Sequence, residues 1–353
     1  MNFANLRLFG VSAVLLVLWP GFAILSGAAA QSQVGSAPRP VSVQDFPRAE
    51  TDMYFSGFVK QGAFGKFQHR REPISVDKQD VIRTNRDTLY SEAVFDLDAG
   101  PVTIVLPDSG KRYMALLIVN EEAYSPAVVY APGRYTFSKE EMGTRYISAV
   151  IRTLVDPNDP KDIEIVHQLQ DRIKAEQAGP GKFEIPDWDP VSQKKIRESL
   201  LVLSSMEGEN PPPRFGWKDQ VDPIAHLIAT ASGWGGNPLE AAKYNSVYPK
   251  SNDGRTVYKL TVKDVPVDGF WSITVYNKEG YMVKNELAAY SVNNITAKPN
   301  ADGSVTVQFG GCQKQTLNCL PTVPGWNYVV RMYRPGPEIL NGSWKFPAAE
   351  SVK

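Results

Sequence analysis

The feature that most constrains this chain is a change of hydrophobic period, from strand-like to helical and back again. Ala93-Val94-Phe95 and Val102-Thr103-Ile104-Val105-Leu106 are apolar runs separated by an Asp-Ala-Gly-Pro break, which reads as two neighbouring strands joined by a turn. Arg112 to Val119, Pro126 to Tyr130, Gly133 to Phe137 and Ile147 to Val155 continue the β-rich pattern. From Asp159 the period lengthens. Asp-Pro pairs at 159–160, 189–190 and 222–223 each suit a helix start, because proline tolerates the first turn and aspartate accepts from its unbonded amides. Ile163, Val166, Leu169 and Ile173 then form one apolar stripe, and Ile196, Leu200 and Leu203 another. Strict alternation returns in Thr256 to Val262 and continues in Gly269 to Tyr276, Val305 to Phe309 and Asn327 to Tyr333. The expected fold is mainly β with a helical insert (α+β). It has two β-rich domains, the C-terminal one an antiparallel sandwich or jelly-roll-like.

The chain is expected to divide into a signal peptide (1–30), a flexible leader (31–43), an N-terminal β-rich domain (44–158), a helical insert (159–245) and a C-terminal domain (246–353). The signal reading rests on the lone cation Arg7, an uncharged run from Leu8 to Ala30, and small residues Ala28-Ala29-Ala30 before Gln31. An uncleaved anchor is the competing reading, since that run is nominally long enough to span a bilayer. Either way the expected location is periplasmic or secreted. Lys+Arg and Asp+Glu balance at 38 each. Removing the first thirty residues takes away one cation and no acid, leaving a formal charge of −1. Such a charge gives no electrostatic case for nucleic acid or for a membrane surface after signal removal. Cys312 and Cys319, the only cysteines, are expected to form a loop-clamping disulfide in an exported protein.

The polar heptad Asn85-Arg86-Asp87-Thr88-Leu89-Tyr90-Ser91 leads directly into the first strand pair. Arg86 offers a planar fork of donors, Asp87 two acceptor oxygens and Tyr90 a phenol, which suits a buried structural network or the floor of a polar pocket. His69, beside Arg70 and Arg71 in a charged loop, is the histidine best placed for a site. His167 and His226 lie on expected helices, where an ordinary partly buried histidine is the plain reading. No metal set or cofactor motif is proposed: the three histidines are far apart, and no phosphate loop, dinucleotide fingerprint or His-Glu-x-x-His is present. Trp234, between Gly233 and Gly235-Gly236, reads either as a plug at a helix end or as an aromatic wall for a ligand. Trp271, Tyr276, Tyr328 and Tyr333 recur at alternate strand positions and read as core. Asn277 and Asn293-Asn294 read as turn residues that satisfy their own backbone.

With these residues placed, the chain resembles a bacterial exported family that pairs the domains of unknown function DUF1254 and DUF1214. The marks are Phe46-Pro47-Arg48-Ala49-Glu50-Thr51-Asp52, the heptad, Trp234-Gly235-Gly236, Asp268 to Tyr276, and Arg331-Met332-Tyr333-Arg334-Pro335-Gly336-Pro337. One departure is Asn285-Glu286, where relatives commonly read Asn-Pro. The resemblance implies two β-rich domains, the second jelly-roll-like, and no settled activity.

Three functions follow as expectations. The first is binding of a small polar molecule in a cleft near the heptad, with Asn85, Arg86, Tyr90 and Trp234 as ligand contacts. The second is a periplasmic hydrolase or lyase in which Asp87 or His69 is the base, Arg86 stabilises an oxyanion and Tyr90 donates a proton. The third is an envelope structural protein acting as a homo-oligomer.

Overall fold

The computed structural model describes residues 37–79, 82–208, 211–314 and 317–352. The expected signal peptide and the leader up to residue 36 lie outside them. The first ordered helix, α1 (Phe46–Lys60), has Pro47 in its first turn and buries Phe46, Ala49 and Phe55. Residues 38–43, expected as flexible leader, are instead tied down. The amide of Arg39 donates to Asp187 O at 2.6 Å, its carbonyl accepts from Asp189 N at 2.8 Å, and Val41 is buried against the helical segment. Apolar Val41 supplies burial that composition alone did not reveal.

The N-terminal half follows as β1 (Gln68–His69), β2 (Thr88–Asp96), β3 (Val102–Leu106), β4 (Met114–Asn120), β5 (Ala127–Tyr130), β6 (Gly133–Phe137), the short helix α2 (Lys139–Met142) and β7 (Tyr146–Leu154). The middle segment holds α3 (Pro160–Asp171), β8 (Lys174–Glu176), α4 (Pro190–Ser204) and α5 (Pro223–Gly233). All three long helices there begin as the Asp-Pro pairs dictate. Asp159 accepts from Lys161 N, Asp189 from Val191 N and Ser192 N, and Asp222 from Ile224 N and Ala225 N, with proline in each first turn. The C-terminal half contains β9 (Ala242–Val247), β10 (Tyr258–Val262), β11 (Trp271–Tyr276), β12 (Ser291–Asn293), β13 (Val305–Phe309), β14 (Cys319–Leu320), β15 (Asn327–Tyr333), α6 (Pro337–Leu340) and β16 (Glu350–Ser351).

Each β-rich half is a two-layer sandwich. In the first, the five-stranded sheet β1-β2-β7-β4-β5 packs on the three-stranded sheet β6-β3-β8 through Ala93, Phe95, Ile104, Leu106, Leu116 and Ile151. In the second, β14-β13-β10-β16 faces β12-β11-β15-β9 through Leu260, Val307, Phe309, Trp271, Ile273 and Val330. Cys312 and Cys319 form a disulfide with Cα atoms 5.7 Å apart, fastening the loop that leads into β14.

The middle segment is not purely helical. Its β8 adds to the first sandwich beside β3, and β9 pairs along the whole of β15 in the second, so the boundary expected after residue 245 falls inside a strand. Tyr276 and Tyr333 are also buried outside the sandwich core that holds Trp271 and Tyr328. Strand alternation turns Ser272, Thr274, Tyr276, Arg331 and Tyr333 to the opposite face of their sheet, where the N-terminal half rests.

Candidate functional site

The heptad lies where the two sandwiches meet, and its side chains diverge there. Asp87 is fully buried and points at the row formed by Asn293, Ser272 and Arg331, which are cross-strand neighbours on β12, β11 and β15. Asn293 Nδ2 donates to Asp87 Oδ1 at 3.1 Å, while Asn293 Oδ1 accepts from Ile295 N and Thr296 N. Asn293 thus satisfies its own turn, as expected, and also reaches across the junction. Burial pushes the Asp87 carboxyl up from its ordinary value, against the opposing pull of Arg331 and of the polar side chains Asn293, Ser272 and Ser291. Arg331 is itself enclosed. It donates to Thr274 Oγ1 at 3.0 Å, to Tyr276 Oη at 2.7 Å and to Arg83 O at 2.7 Å. Tyr276 Oη in turn donates to Thr84 O at 2.6 Å. Arg331 is satisfied here, while Asp87 Oδ2 and Ser272 Oγ are buried without a hydrogen-bond partner.

Arg86 leaves in another direction. Its guanidinium donates to Ile74 O and lies 5.5 Å from the ring centre of Tyr290, with burial holding its pKa below the ordinary arginine value. His69 pairs in register with Ser91, and its Nδ1 sits 2.8 Å from Ser91 Oγ on the sheet face opposite Tyr90. Burial, with Arg71 nearby, lowers the His69 pKa. Asp87, His69, Arg86 and Tyr90 therefore do not converge on one reacting point.

Tyr90 occupies the face of the five-stranded sheet that looks toward the second sandwich. Across that face run Tyr90, Arg152, Ala115 and Tyr130, with Glu92, Val150, Leu117 and Val128 as the adjacent row. On one side the face is covered by Ala242, Phe270 and Tyr333, and on the other by α1 through Phe55 on Val94. Between these covers lies Arg152, partly buried. The Arg152 guanidinium lies 5.5 Å from the Tyr90 ring centre and donates to Gly235 O at 3.2 Å. Burial acts to lower its pKa, the phenols of Tyr90, Tyr244, Tyr333 and Tyr113 act to raise it, and the net shift is upward. The group keeps its charge. Among the described residues, no carboxylate comes within ion-pair distance of it. Glu92, the nearest acid in electrostatic range, is bonded by Arg70 Nε at 3.0 Å, and burial raises its pKa against the pull of Arg70 and Arg152.

The groups around Arg152 are polar, and Tyr244 is exposed. Asn85 Nδ2 reaches Tyr90 Oη at 3.3 Å and Tyr333 Oη at 3.5 Å. Asn237 Nδ2 donates at 2.8 Å to the hydroxyl of Tyr244, which is 40% exposed. Trp234 does not face the second sandwich. It stacks on Tyr54 of α1 at 4.4 Å and donates from Nε1 to Thr51 Oγ1 at 3.0 Å, which fixes the loop that carries Gly235. Gly235 has φ +70°, a backbone conformation that favours glycine, and this aims its carbonyl at Arg152.

Of the residues expected at a site, Tyr90 lies against Arg152, Asn85 reaches the Tyr90 hydroxyl, and Trp234 fixes the loop that carries Gly235. Arg152, Tyr244 and Glu92 were not anticipated. A single arginine inside the apolar run Ile147 to Val155 was the available signal, because a charge on a buried strand needs a partner or a purpose. Among the described residues, no group of three or more His, Cys, Asp or Glu could hold a metal ion, and no helix is long and apolar enough to cross a membrane.

A paired β-rich protein with a phenol-surrounded arginine at its junction is the class that fold and site define. The chain carries the two domains in the expected order: residues 64–141 match a protein of unknown function (DUF1254), and residues 246–337 match a protein of unknown function (DUF1214). No curated protein matches it. Its fold is similar to the crystal structure of the VPA0106 protein from Vibrio parahaemolyticus, with a TM-score of 0.68 at 19% identity, over 88% of this chain and 98% of that one. It is also similar to a putative uncharacterized protein from Burkholderia cenocepacia, with a TM-score of 0.51 at 14% identity, over 88% and 87% of the two chains.

Proposed function

We propose that the protein is exported and binds a small anionic polar molecule at Arg152, between the sandwiches. One observation carries the reading: Arg152 is a largely enclosed guanidinium that has one protein hydrogen bond and no carboxylate partner among the described residues. Buried charges are ordinarily paired, and a guanidinium fork matches a carboxylate or phosphate in two-point geometry. Tyr90, Tyr244 and Asn85 add hydroxyl and amide groups around it, and the exposed Tyr244 marks the entrance. The Cys312–Cys319 disulfide suits an oxidising compartment, which supports export.

The test is mass spectrometry of small molecules released on denaturing purified wild type and Arg152→Met. An anionic compound enriched in the wild type and depleted in the variant is expected. Equal recovery from both proteins would remove Arg152 from the reading. Intact-mass measurement of exported material checks the location, with a mature chain beginning near Gln31 expected.

A further inference from the structure

A cavity of about 320 Å³ lies along the outer edge of β5. Its walls include Ser125, Val128 and Tyr130 of the first sandwich, Glu240 of the loop after α5, and Asp268 and Arg334 of the second. The size suits a small ligand or a short peptide segment. β5 ends its sheet, with β4 on one side and, among the described residues, no strand on the other.

The register states which backbone groups the edge presents. Ala131 N donates to Met114 O at 3.1 Å, and Leu116 faces Val129 while Ile118 faces Ala127. In an antiparallel ladder alternate residues bond to alternate sides, so Ala127 and Val129 turn their amides to β4. Val128 and Tyr130 turn theirs into the cavity. The Tyr130 carbonyl is already taken by Tyr135 Oη at 2.6 Å. That leaves the Val128 N–H, the Val128 carbonyl and the Tyr130 N–H, the set that one added extended strand would bond.

The side chains around this edge have an acidic excess. Glu240 and Asp268 face it, both exposed. Arg334, the cation there, is paired with Asp268, its guanidinium 3.4 Å from Asp268 Oδ2 and 4.6 Å from the Tyr130 ring centre, so the acidic excess is carried by Glu240. Arg334 is held at φ +51°, an uncommon backbone for a non-glycine residue, by bonds from its amide to Ala241 O and from Asp268 N to its carbonyl. We infer that this cavity is a peptide site, in which an extended segment with a basic side chain adds to β5 as a sixth strand and sets that side chain against Glu240 and Asp268. The site is separate from that at Arg152 and does not depend on its ligand.

Fluorescence anisotropy with labelled Gly-Val-Lys-Val-Gly and Gly-Val-Glu-Val-Gly peptides, both terminally blocked, tests this on the full mature chain. The lysine peptide is expected to bind at least tenfold more tightly, and methylation of its central backbone nitrogens to abolish binding. Glu240→Gln with Asp268→Asn, both at exposed positions, should leave the fold intact and bring the two affinities within about threefold. The inference is overturned if neither peptide binds at millimolar concentration, or if backbone methylation leaves affinity unchanged. It is equally overturned if sedimentation shows the β5 edge occupied by a second copy of this chain.

Discussion

Arg331 and Arg152 make an instructive pair. Both project from a strand in the interior of a sheet, both lie among tyrosines, and both face the junction of the two sandwiches. Arg331 spends its donors on Thr274, Tyr276 and the Arg83 carbonyl, among the phenols of Tyr276 and Tyr333 and with Asp87 acting on it from beyond ion-pair contact. Arg152 also lies among phenols, but has one hydrogen bond, to Gly235 O. The residue type is the same. What separates a scaffold from a site is the number of protein partners, since a satisfied network rigidifies and an unsatisfied one is left for a ligand.

The comparison breaks first at Arg331. Removing Arg331 leaves Thr274, Tyr276 and the Arg83 carbonyl without their donor and takes away the cation that opposes the raised pKa of Asp87, at a cost of about 3 kcal/mol. Arg331→Met should show that loss in guanidinium unfolding near neutral pH. The pH dependence has a definite sign. The folded-state pKa of Asp87 is raised, so folding takes up a proton, and the contribution is greatest below the ordinary carboxylate value of 3.8 and declines as pH rises through the folded value. Arg331 opposes that rise, so without it the decline extends to higher pH. The destabilisation should therefore be larger at pH 8 than at pH 5, and a loss that does not vary with pH would show that Asp87 is not the stranded partner.

Asp52 of α1 tests whether burial or pairing sets such costs. It is fully buried, accepts from Trp188 Nε1 at 2.8 Å, and has its pKa pushed up to about 6, chiefly by burial and further by Glu121 and Glu122. The same sign applies: the wild type should lose up to about 3 kcal/mol of stability as pH rises from about 4 to 6. Asp52→Asn keeps an acceptor for Trp188 and should abolish that slope. If unfolding curves of variant and wild type change in parallel over this range, another group carries the titration.

Arg152 sharpens the contrast from the other side. Arg152→Met leaves behind no buried acid in ion-pair contact, and a thioether side chain fits an aromatic surround. The expected change in unfolding free energy is within about 1 kcal/mol, in either direction. A loss as large as that of Arg331→Met would make the two arginines equivalent scaffold residues and end the distinction.

Legibility followed the range of the interactions. The Asp-Pro helix starts at 159, 189 and 222 were readable because a cap is built within four residues. β9 was not, because Ala242 to Val247 lacks a clear apolar alternation and becomes a strand only through β15, some ninety residues further along the chain. The heptad was recognisable as a polar cluster at a strand start. Its dispersal was not, because the pleat and the preceding turn send Arg86, Asp87 and Tyr90 to three different environments. Arg152 was hidden by its own neighbours, which read correctly as core strand and drew attention from the one charge among them.

The smallest expected effect is the most discriminating, and it falls on Tyr90. Its ring lies beneath the Arg152 guanidinium and its hydroxyl receives only a long contact, 3.3 Å from Asn85 Nδ2. Tyr90→Phe keeps the ring and its cation–π attraction and removes the hydroxyl alone, so the fold should lose no more than about 1 kcal/mol. Affinity for an anionic molecule recovered from the wild type should nevertheless fall by about tenfold to a hundredfold, since a hydroxyl bond to a charged group contributes about 1.5–3 kcal/mol. The alternative is that the phenol serves only Asn85 and Tyr333 across the junction. In that case Tyr90→Phe would leave the affinity unchanged and cost the same small increment of stability, and Tyr90 would belong with Arg331 in the scaffold rather than with Arg152 at the site.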